Sequence, residues 1–262
     1  MSALVFLVGL IVGSFLNVCI HRLPLGENIA FPGSHCPKCG AAIRWYQNVP
    51  VLSWLALRGR CAACRAPIAW RYPIVELLSG IAALSAFAAY GPTLAFAIAL
   101  AYAWMLLVLF FTDWDHHLLP DAITLTGFAA GMAIAAFNPF LAGEGSWGRI
   151  WTALLGAALG SGILWGIGAV WKRLRGVDAM GLGDVKMMAM VGAFTGPSGV
   201  LFTLFFGSIV GAIVGVARIP FRGGSLRDEL PFGCFLAPSA LVAMHGARRA
   251  IDAYLAFVGF GA

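Results

Sequence analysis

Long apolar stretches that carry no charge recur along the chain, and they decide what it can fold into. The stretch 93–112 contains no charged side chain, and about 20 apolar residues are enough to cross the ~30 Å hydrocarbon core of a bilayer. Over the whole chain 61% of the residues are apolar and only 11% are charged, with a mean hydropathy of +0.89. These values lie outside the range of soluble globular domains. The sequence therefore predicts an all-α polytopic membrane protein.

We predict about eight transmembrane helices from these stretches. They are placed at residues 2–20, 72–90, 93–112, 122–137, 149–171, 185–196, 198–217 and 233–245. The sixth and the eighth are short for a crossing, so either they are tilted or their boundaries are off by several residues.

The basic residues outline the topology of these spans. Fourteen of the 17 Lys and Arg residues fall in loops on one side: Arg22, Lys38, Arg44, Arg58, Arg60, Arg65, Arg71, Lys172, Arg173, Arg175, Lys186, Arg218, Arg222 and Arg227. Only Arg149, Arg248 and Arg249 fall on the other side. By the positive-inside rule the heavily basic side is cytoplasmic, with the N-terminus on the opposite side of the membrane. The net charge of +6 is thus explained by topology and membrane lipid, and it does not indicate nucleic-acid binding.

One polar insert, residues 21–71, interrupts the apolar pattern and divides the chain into 1–20 (first span), 21–71 (insert) and 72–262 (membrane domain). An insert this small usually needs a metal or disulfide staple. It contains two CxxC motifs, with 21 residues between them, formed by Cys36, Cys39, Cys61 and Cys64. Four thiolates at this spacing can close a tetrahedral Zn²⁺ site. A Cys₄ site leaves no position open for chemistry, so a structural role is favoured over a regulatory or substrate-contacting one.

The two remaining cysteines, Cys19 and Cys234, lie in or beside apolar spans. We expect both to be small core residues.

Acidic side chains are rare in this chain, and several stand at the edges of predicted spans. Asp113, Asp115 and Asp121 follow the third span. A carboxylate next to hydrocarbon is costly and marks a functional site by default, so Asp113, directly after the span, is expected to face the bundle interior. Asp115 is expected to be solvated. Asp121 is expected to be the N-cap of the next helix, where its carboxylate would accept from the first free amides.

A second acidic motif, Gly181-Leu-Gly183-Asp184, stands at the start of the sixth predicted span. Gly181 and Gly183 let the backbone pass close to another segment. A single GxGD motif is a weak signal, and its weight comes from the other acids on the same predicted membrane side. Lys186 could pair with Asp184, or it could contact a lipid phosphate or a substrate carboxylate.

If folding brings Asp113 and Asp184 together, the two carboxylates can share one proton. The protonated one would polarise a substrate carbonyl, and the ionised one would take a proton from an attacking water. The chain has no GxSxG, HExxH or P-loop motif that would indicate another chemistry. The sequence thus predicts hydrolysis by Asp113 and Asp184, supported by Gly181, Gly183 and Lys186.

Two rival functions remain at this point. A proton-coupled transporter would place acids nearer the middle of its spans, whereas these acids cluster at one face. A non-enzymatic membrane scaffold, whose zinc module recruits a partner, would tolerate loss of both Asp113 and Asp184.

An ordered set of motifs resembles one family over nearly the full length of the chain, the bacterial prepilin peptidases (type IV leader peptidases). The motifs are Gly13-Ser-Phe-Leu-Asn17-Val, His21-Arg22-Leu-Pro, Cys36-Pro-Lys-Cys39, Asn48-Val-Pro-Val-Leu-Ser-Trp54, Cys61-Ala-Ala-Cys64, Arg71-Tyr-Pro-Ile-Val-Glu76, Asp113-x-Asp115-x-x-Leu-Leu-Pro120-Asp121, Gly181-x-Gly183-Asp184-x-Lys186 and Pro231-Phe-Gly233. The resemblance implies a membrane aspartic endopeptidase of the GxGD class, with Asp113 and Asp184 as its catalytic pair.

The resemblance also implies the substrates and a second reaction. It implies cleavage of the leaders of type IV prepilins and type II secretion pseudopilins, on the cytoplasmic side and after a glycine. It implies N-methylation of the new terminus with S-adenosylmethionine, with a peptidase that lacks this activity as the alternative.

No glycine-rich loop of the dinucleotide-binding type is present for the methyl donor, so we expect an atypical pocket where the insert meets the membrane. Asn17 and Glu76 are candidates to face it. The alternatives are an interhelical hydrogen bond for Asn17 and a first-turn helix acid for Glu76.

Overall fold

The computed structural model describes residues 1–177, 180–222 and 230–257. Eight α-helices make up most of them: α1 (Ser2–Arg22), α2 (Leu52–Ala56), α3 (Arg71–Tyr90), α4 (Leu94–His116), α5 (Asp121–Ile134), α6 (Gly145–Arg175), α7 (Leu182–Arg222) and α8 (Gly233–Phe257). The only β-type pairings in those residues are two isolated bridges, His35 with Ala42 and Arg60 with Pro67. Arg227, one of the basic residues used for the topology, lies outside the described residues.

Within the described part of the chain, five helices are long and apolar enough to cross a membrane. They are Ser2–Leu25, Arg71–Tyr90, Leu94–His116, Gly145–Arg175 and Leu182–Arg218, and two shorter apolar helices are Asp121–Phe137 and Gly233–Ala247. The prediction of an all-α polytopic membrane protein is therefore confirmed. The count of about eight crossings stays a prediction.

Helix α7 folds back on itself at Gly196, which has φ 70° and ψ −173°. In a straight helix Gly207 would lie about 35 Å from Asp184, at 1.5 Å per residue. Yet a Cβ placed on Gly207 would lie 3.0 Å from Leu236 Cδ2, and Cys234, two residues before Leu236, interacts electrostatically with Asp184. The chain therefore reverses at Gly196, where the sequence places the boundary between its sixth and seventh predicted spans.

The chain divides into two compact units, Met1–Val108 and Leu109–Ala262. The predicted division into 1–20, 21–71 and 72–262 stays a prediction.

In the first unit α1 packs closely on α3 because small residues face each other. A Cβ on Gly9 would lie 2.8 Å from Gly80 Cα, and Ser79 Oγ donates a hydrogen bond of 2.6 Å to the Gly9 carbonyl. Such small-residue contacts let membrane helices approach without a large apolar interface. The insert is held to the end of α1 by Arg22, whose guanidinium donates to the carbonyls of Asn28 at 3.0 Å and Pro32 at 2.7 Å.

In the second unit α6 runs antiparallel to the first arm of α7 at backbone contact. A Cβ on Gly156 would lie 2.5 Å from the Gly192 carbonyl oxygen, and one on Gly160 would lie 2.5 Å from the Met188 carbonyl oxygen. Since the two contacts run in opposite directions along the two helices, the last turn of α6 lies at the same end as Asp184. That turn carries Lys172, Arg173 and Arg175.

We expect Gly192→Ala to destabilise the second unit. Its Cβ would overlap the Gly156 carbonyl group, so the two helices must separate, at a cost of about 1–3 kcal/mol. The melting temperature of the detergent-purified protein should fall. Gly162→Ala is the matched control, since a Cβ on this α6 glycine meets no atom within 4 Å. A parental melting temperature for Gly192→Ala would contradict the backbone contact.

Candidate active site and metal centre

Asp113 and Asp184 meet at one end of the second unit. Asp113 lies near the C-terminal end of α4 and is only 6% exposed, while Asp184 lies in the first turn of α7. The two carboxylates interact electrostatically. The sequence-based expectation that folding brings these two acids together therefore agrees with the geometry.

Leu119 and the backbone at two glycines pack closely around the Asp113–Asp184 pair. A Cβ on Gly183 would lie 3.0 Å from Leu119 Cβ, and a Cβ on Gly233 would lie 3.1 Å from Leu119 Cδ2 and 2.9 Å from Asp113 Oδ2. Both glycines thus allow close approach of the backbone to the site. Gly181 is less constrained, since its Cβ would meet Asp184 Oδ2 at an ordinary 3.5 Å.

The two carboxylates have different hydrogen-bond partners. Asp113 Oδ2 accepts a hydrogen bond of 3.0 Å from the backbone N–H of Cys234. Asp184 Oδ1 is buried and has no hydrogen-bond partner among the described residues. The pair is therefore chemically asymmetric.

Lys186 pairs with Asp121 rather than with Asp184. Its ammonium lies 2.7 Å from Asp121 Oδ1 and 2.8 Å from Asp121 Oδ2. The predicted N-cap role of Asp121 is wrong, because the N-cap of α5 is Pro120 and Asp121 is the first helical residue. Its carboxylate is 57% exposed and reaches across to α7 instead of capping its own helix.

The remaining acid of the first motif and the two cysteines outside the CxxC motifs lie where the sequence predicts, and one cysteine has a further role. Asp115 is exposed. Cys19 and Cys234 are both buried, and Cys234 also supplies the amide that holds Asp113. Sequence reasoning missed this second role, and the only signal for it was the Pro231-Phe-Gly233 motif immediately before Cys234.

The four cysteines of the two CxxC motifs, which we call the two knuckles, form a cluster that fits a zinc ion. Their sulfur atoms all lie within 4.8 Å of one another, and Cys36 Sγ is 3.8 Å from Cys64 Sγ. Sulfurs in a tetrahedral site with Zn–S bonds of about 2.3 Å lie about 3.8 Å apart. Cys36, Cys39, Cys61 and Cys64 would therefore hold Zn²⁺ as a structural ion.

The two knuckles repeat one backbone pattern that prepares the thiolates. The residue after each second cysteine has a positive φ, 69° at Gly40 and 59° at Arg65. Backbone N–H groups of Cys39 and Lys38 lower the pKa of the Cys36 thiol to about 6, and those of Cys64 and Ala63 lower the pKa of Cys61. Thiolates rather than thiols are the zinc ligands.

A cavity of about 850 Å³ lies between α1 and the insert in the first unit. Its wall includes Ser14, Arg22, Trp45 and Val51. Val51 has φ 60°, which is a strained conformation for a β-branched residue. Its N–H donates a hydrogen bond of 2.7 Å to the carboxylate of the buried Glu76.

The two polar candidates for this pocket have different positions. Glu76 is the sixth residue of α3, so it is not a first-turn acid. Its carboxylate accepts the hydrogen bond from Val51, which is part of the cavity wall. Asn17 Nδ2 donates to the Tyr72 carbonyl at 3.0 Å, which is the interhelical alternative.

Comparison with known proteins independently identifies the family. The profile of the bacterial Peptidase A24 N-terminal domain matches residues 7–90, and that of the type IV leader peptidase family matches residues 100–216. The chain belongs to the type IV leader peptidase family. The predicted resemblance is thus confirmed, as is the prediction of an enzyme of this class.

Relatives with curated descriptions cover nearly the whole length of the chain. A prepilin leader peptidase/N-methyltransferase of Stutzerimonas stutzeri is 36% identical over 274 residues, covering 95% of this chain and 92% of the relative. The protein of the same description from Pseudomonas aeruginosa is 37% identical, covering 97% of this chain and 93% of the relative. No solved structure matches the chain.

We expect the purified protein to hold about one zinc ion per chain, because one Cys₄ set closes one tetrahedral site. Replacing Cys61 and Cys64 together by Ser should remove it and expose the Arg-rich insert to trypsin, since structural zinc contributes directly to folding. Elemental analysis and limited proteolysis measure the two effects. Cys19→Ala, at a buried cysteine outside the knuckles, should keep the zinc. Full zinc content in the double variant would refute the site.

Proposed function

We propose that this chain is a membrane aspartic endopeptidase that removes the leaders of type IV prepilins and type II secretion pseudopilins. One observation carries the proposal, namely the pairing of Asp113 and Asp184 at the membrane-edge ends of α4 and α7. Membership of the leader peptidase family supports it.

The chemistry needs one protonated and one ionised carboxylate. The ionised one takes a proton from water as the water oxygen attacks the scissile carbonyl carbon, and the protonated one donates to the carbonyl oxygen. Collapse of the tetrahedral intermediate breaks the C–N bond, and the nitrogen leaves with the proton taken from water. The mechanism proposed here involves no covalent enzyme intermediate.

The position of the pair favours a scissile bond next to an apolar helix. A substrate whose hydrophobic segment lies among the membrane helices would present the bond before that segment to Asp113 and Asp184. We propose cleavage after a glycine of the substrate. Gly183, which has no side chain, leaves room for the substrate beside Asp184, and Lys186 binds Asp121 next to the site. Lys172, Arg173 and Arg175 lie at the same end as Asp184, which favours the cytoplasmic face of the bacterial inner membrane.

A second reaction, N-methylation of the new terminus with S-adenosylmethionine, is proposed for the first unit. The relatives of this description are named as N-methyltransferases, and the cavity between α1 and the insert has the size of a small-molecule site. When bound, S-adenosylmethionine would supply the methyl group. Glu76 would keep Val51 and the cavity wall in their strained conformation. A peptidase without this activity is the alternative.

The transporter alternative is disfavoured by the location of the acids. Asp113 and Asp184 lie at one end of their helices, next to exposed loop residues, rather than at the middle of a broken span. A proton relay across the membrane would need acids at further depths.

Asp113→Asn and Asp184→Asn should each reduce cleavage of a co-expressed prepilin by at least about 100-fold, the range for loss of a general acid or base. Asp115→Asn is the matched control, since Asp115 is exposed two residues further on. A gel shift of the substrate measures processing. Near-normal cleavage by either Asp113 or Asp184 variant would exclude that residue from the catalytic pair.

Glu76→Ala should separate the two reactions. Loss of the carboxylate leaves the Val51 N–H without its acceptor and releases the strained wall of the cavity, so the methylated fraction should fall about tenfold or more. Cleavage should continue. Mass spectrometry of the substrate N-terminus reports both, and Glu27→Gln, at an exposed acid of the insert, is the control. Full methylation by Glu76→Ala would place the methyl-transfer site elsewhere.

A further inference from the structure

The first turn of α8 points at one member of the catalytic pair. Cys234 is the second residue of α8, and its N–H donates to Asp113 Oδ2 at 3.0 Å. The N–H of Gly233 also faces this carboxylate. The first N–H groups of a helix have no acceptor within the helix and carry its positive partial charge. They therefore favour an anion at Asp113.

Only a glycine at position 233 permits this approach. A Cβ there would lie 2.9 Å from Asp113 Oδ2 and 3.2 Å from Asp113 Cγ. Atoms of the carboxylate itself would have to move to admit a methyl group, which would break the short contact with the helix end. Gly233 is thus placed to set the distance between Asp113 and the amides.

Asp184 also lies near a helix start, in the first turn of α7, but its hydrogen bonding among the described residues differs from that of Asp113. Its Oδ1 is buried without a hydrogen-bond partner there. The nearest cation in sequence, Lys186, binds both oxygens of Asp121. A buried carboxylate that lacks donors is costly to ionise, whereas its protonated form carries its own donor.

We propose that the amides at the start of α8 determine which carboxylate of the pair is ionised, so that Asp113 is the ionised base and Asp184 holds the proton. Gly233 and Cys234 are then positioning residues, which act on the reaction through Asp113. The inference rests on the proposed peptidase function and adds to it the identity of the acid and the base.

The assignment gives each proton a route. Asp113 takes a proton from water while the water oxygen bonds to the scissile carbon, and Asp184 gives its proton to the carbonyl oxygen. When the C–N bond breaks, Asp113 passes its proton to the leaving nitrogen. A hydroxyl of the intermediate returns a proton to Asp184 as the new carboxyl group forms. The net reaction consumes one water and leaves both aspartates as they began.

The test is the pH profile of kcat/KM for cleavage of a purified prepilin by the full-length protein in detergent. Described titratable groups that face Asp113 are Asp184 on α7, Cys234 on α8 and His117 just after α4. Cys234→Pro removes the donated N–H at a helix position where proline is tolerated. Cys234→Ala removes the thiol and the contact from it to the Phe110 carbonyl but keeps the N–H.

In Cys234→Pro the acidic limb of the profile should move to higher pH by about one unit, because a charge-assisted hydrogen bond to the anion is lost. The basic limb should not move, since it reports loss of the proton held by Asp184. Cys234→Ala, which loses the thiol beside Asp113 but keeps the N–H, should move the acidic limb less than Cys234→Pro does. An unmoved acidic limb in a folded Cys234→Pro protein would overturn the assignment.

If Cys234→Pro fails to fold, Gly233→Ala decides the question. It should shift the acidic limb upward and lower kcat/KM at neutral pH about tenfold. Gly246→Ala, at an α8 glycine whose Cβ would meet no atom within 4 Å, should behave as the parent. A parental profile for Gly233→Ala would also overturn the inference. Absence of cleavage by the parent protein itself would instead refute the proposed function.

Discussion

The cost of a polar group at the edge of hydrocarbon governs this structure. Buried polar and charged groups in a membrane protein are retained where a partner meets them or where chemistry needs them. Here the Cys234 amide meets Asp113, the Val51 amide meets Glu76, and Tyr72 accepts from Asn17. Asp184 differs from these acids, because its buried Oδ1 has no partner in the described part of the chain, as is also true of Asn17 Oδ1 and Trp104 Nε1. In the proposed mechanism Asp184 must receive and release a proton, and an oxygen without a hydrogen-bond partner suits that role.

Glycine makes that arrangement possible by letting backbones touch. The contact between Gly156 and Gly192 holds α6 against the first arm of α7, and Gly196 reverses the chain. The reversal returns the second arm to α8, where Gly207 faces Leu236. As a result the start of α7 and the start of α8 lie at the same end of the second unit. The Asp113 site depends on this, because it takes an amide from α8 and a carboxylate from α7.

The parts of the site that could be predicted from the sequence are those that depend on residue type and spacing. The knuckle cysteines, the two aspartates and the break near Gly196 follow from residue type and spacing. The N-cap role of Asp121 failed because Lys186, 65 residues away, offers its carboxylate a stronger partner. The role of Cys234 was missed because a backbone amide is common to every non-proline residue and leaves no mark in a sequence. Tertiary contacts of that kind exist only in the folded chain.

The two proposed reactions have opposite demands, which gives a physical reason for two polar sites in two units. Hydrolysis needs a carboxylic acid that keeps its proton, so Asp184 benefits from burial away from donors. Methylation needs the new α-amine in its neutral form, and an amine with a pKa of about 7.7–8.0 in water is mostly charged at pH 7. A site dominated by carboxylates would favour the charged, unreactive amine. The cavity beside α1 contains none among its lining residues, and Glu76 is occupied by the Val51 amide behind its wall. A largely apolar wall that has Arg22 but no carboxylate suits the neutral amine, as the buried acid pair suits the peptide bond.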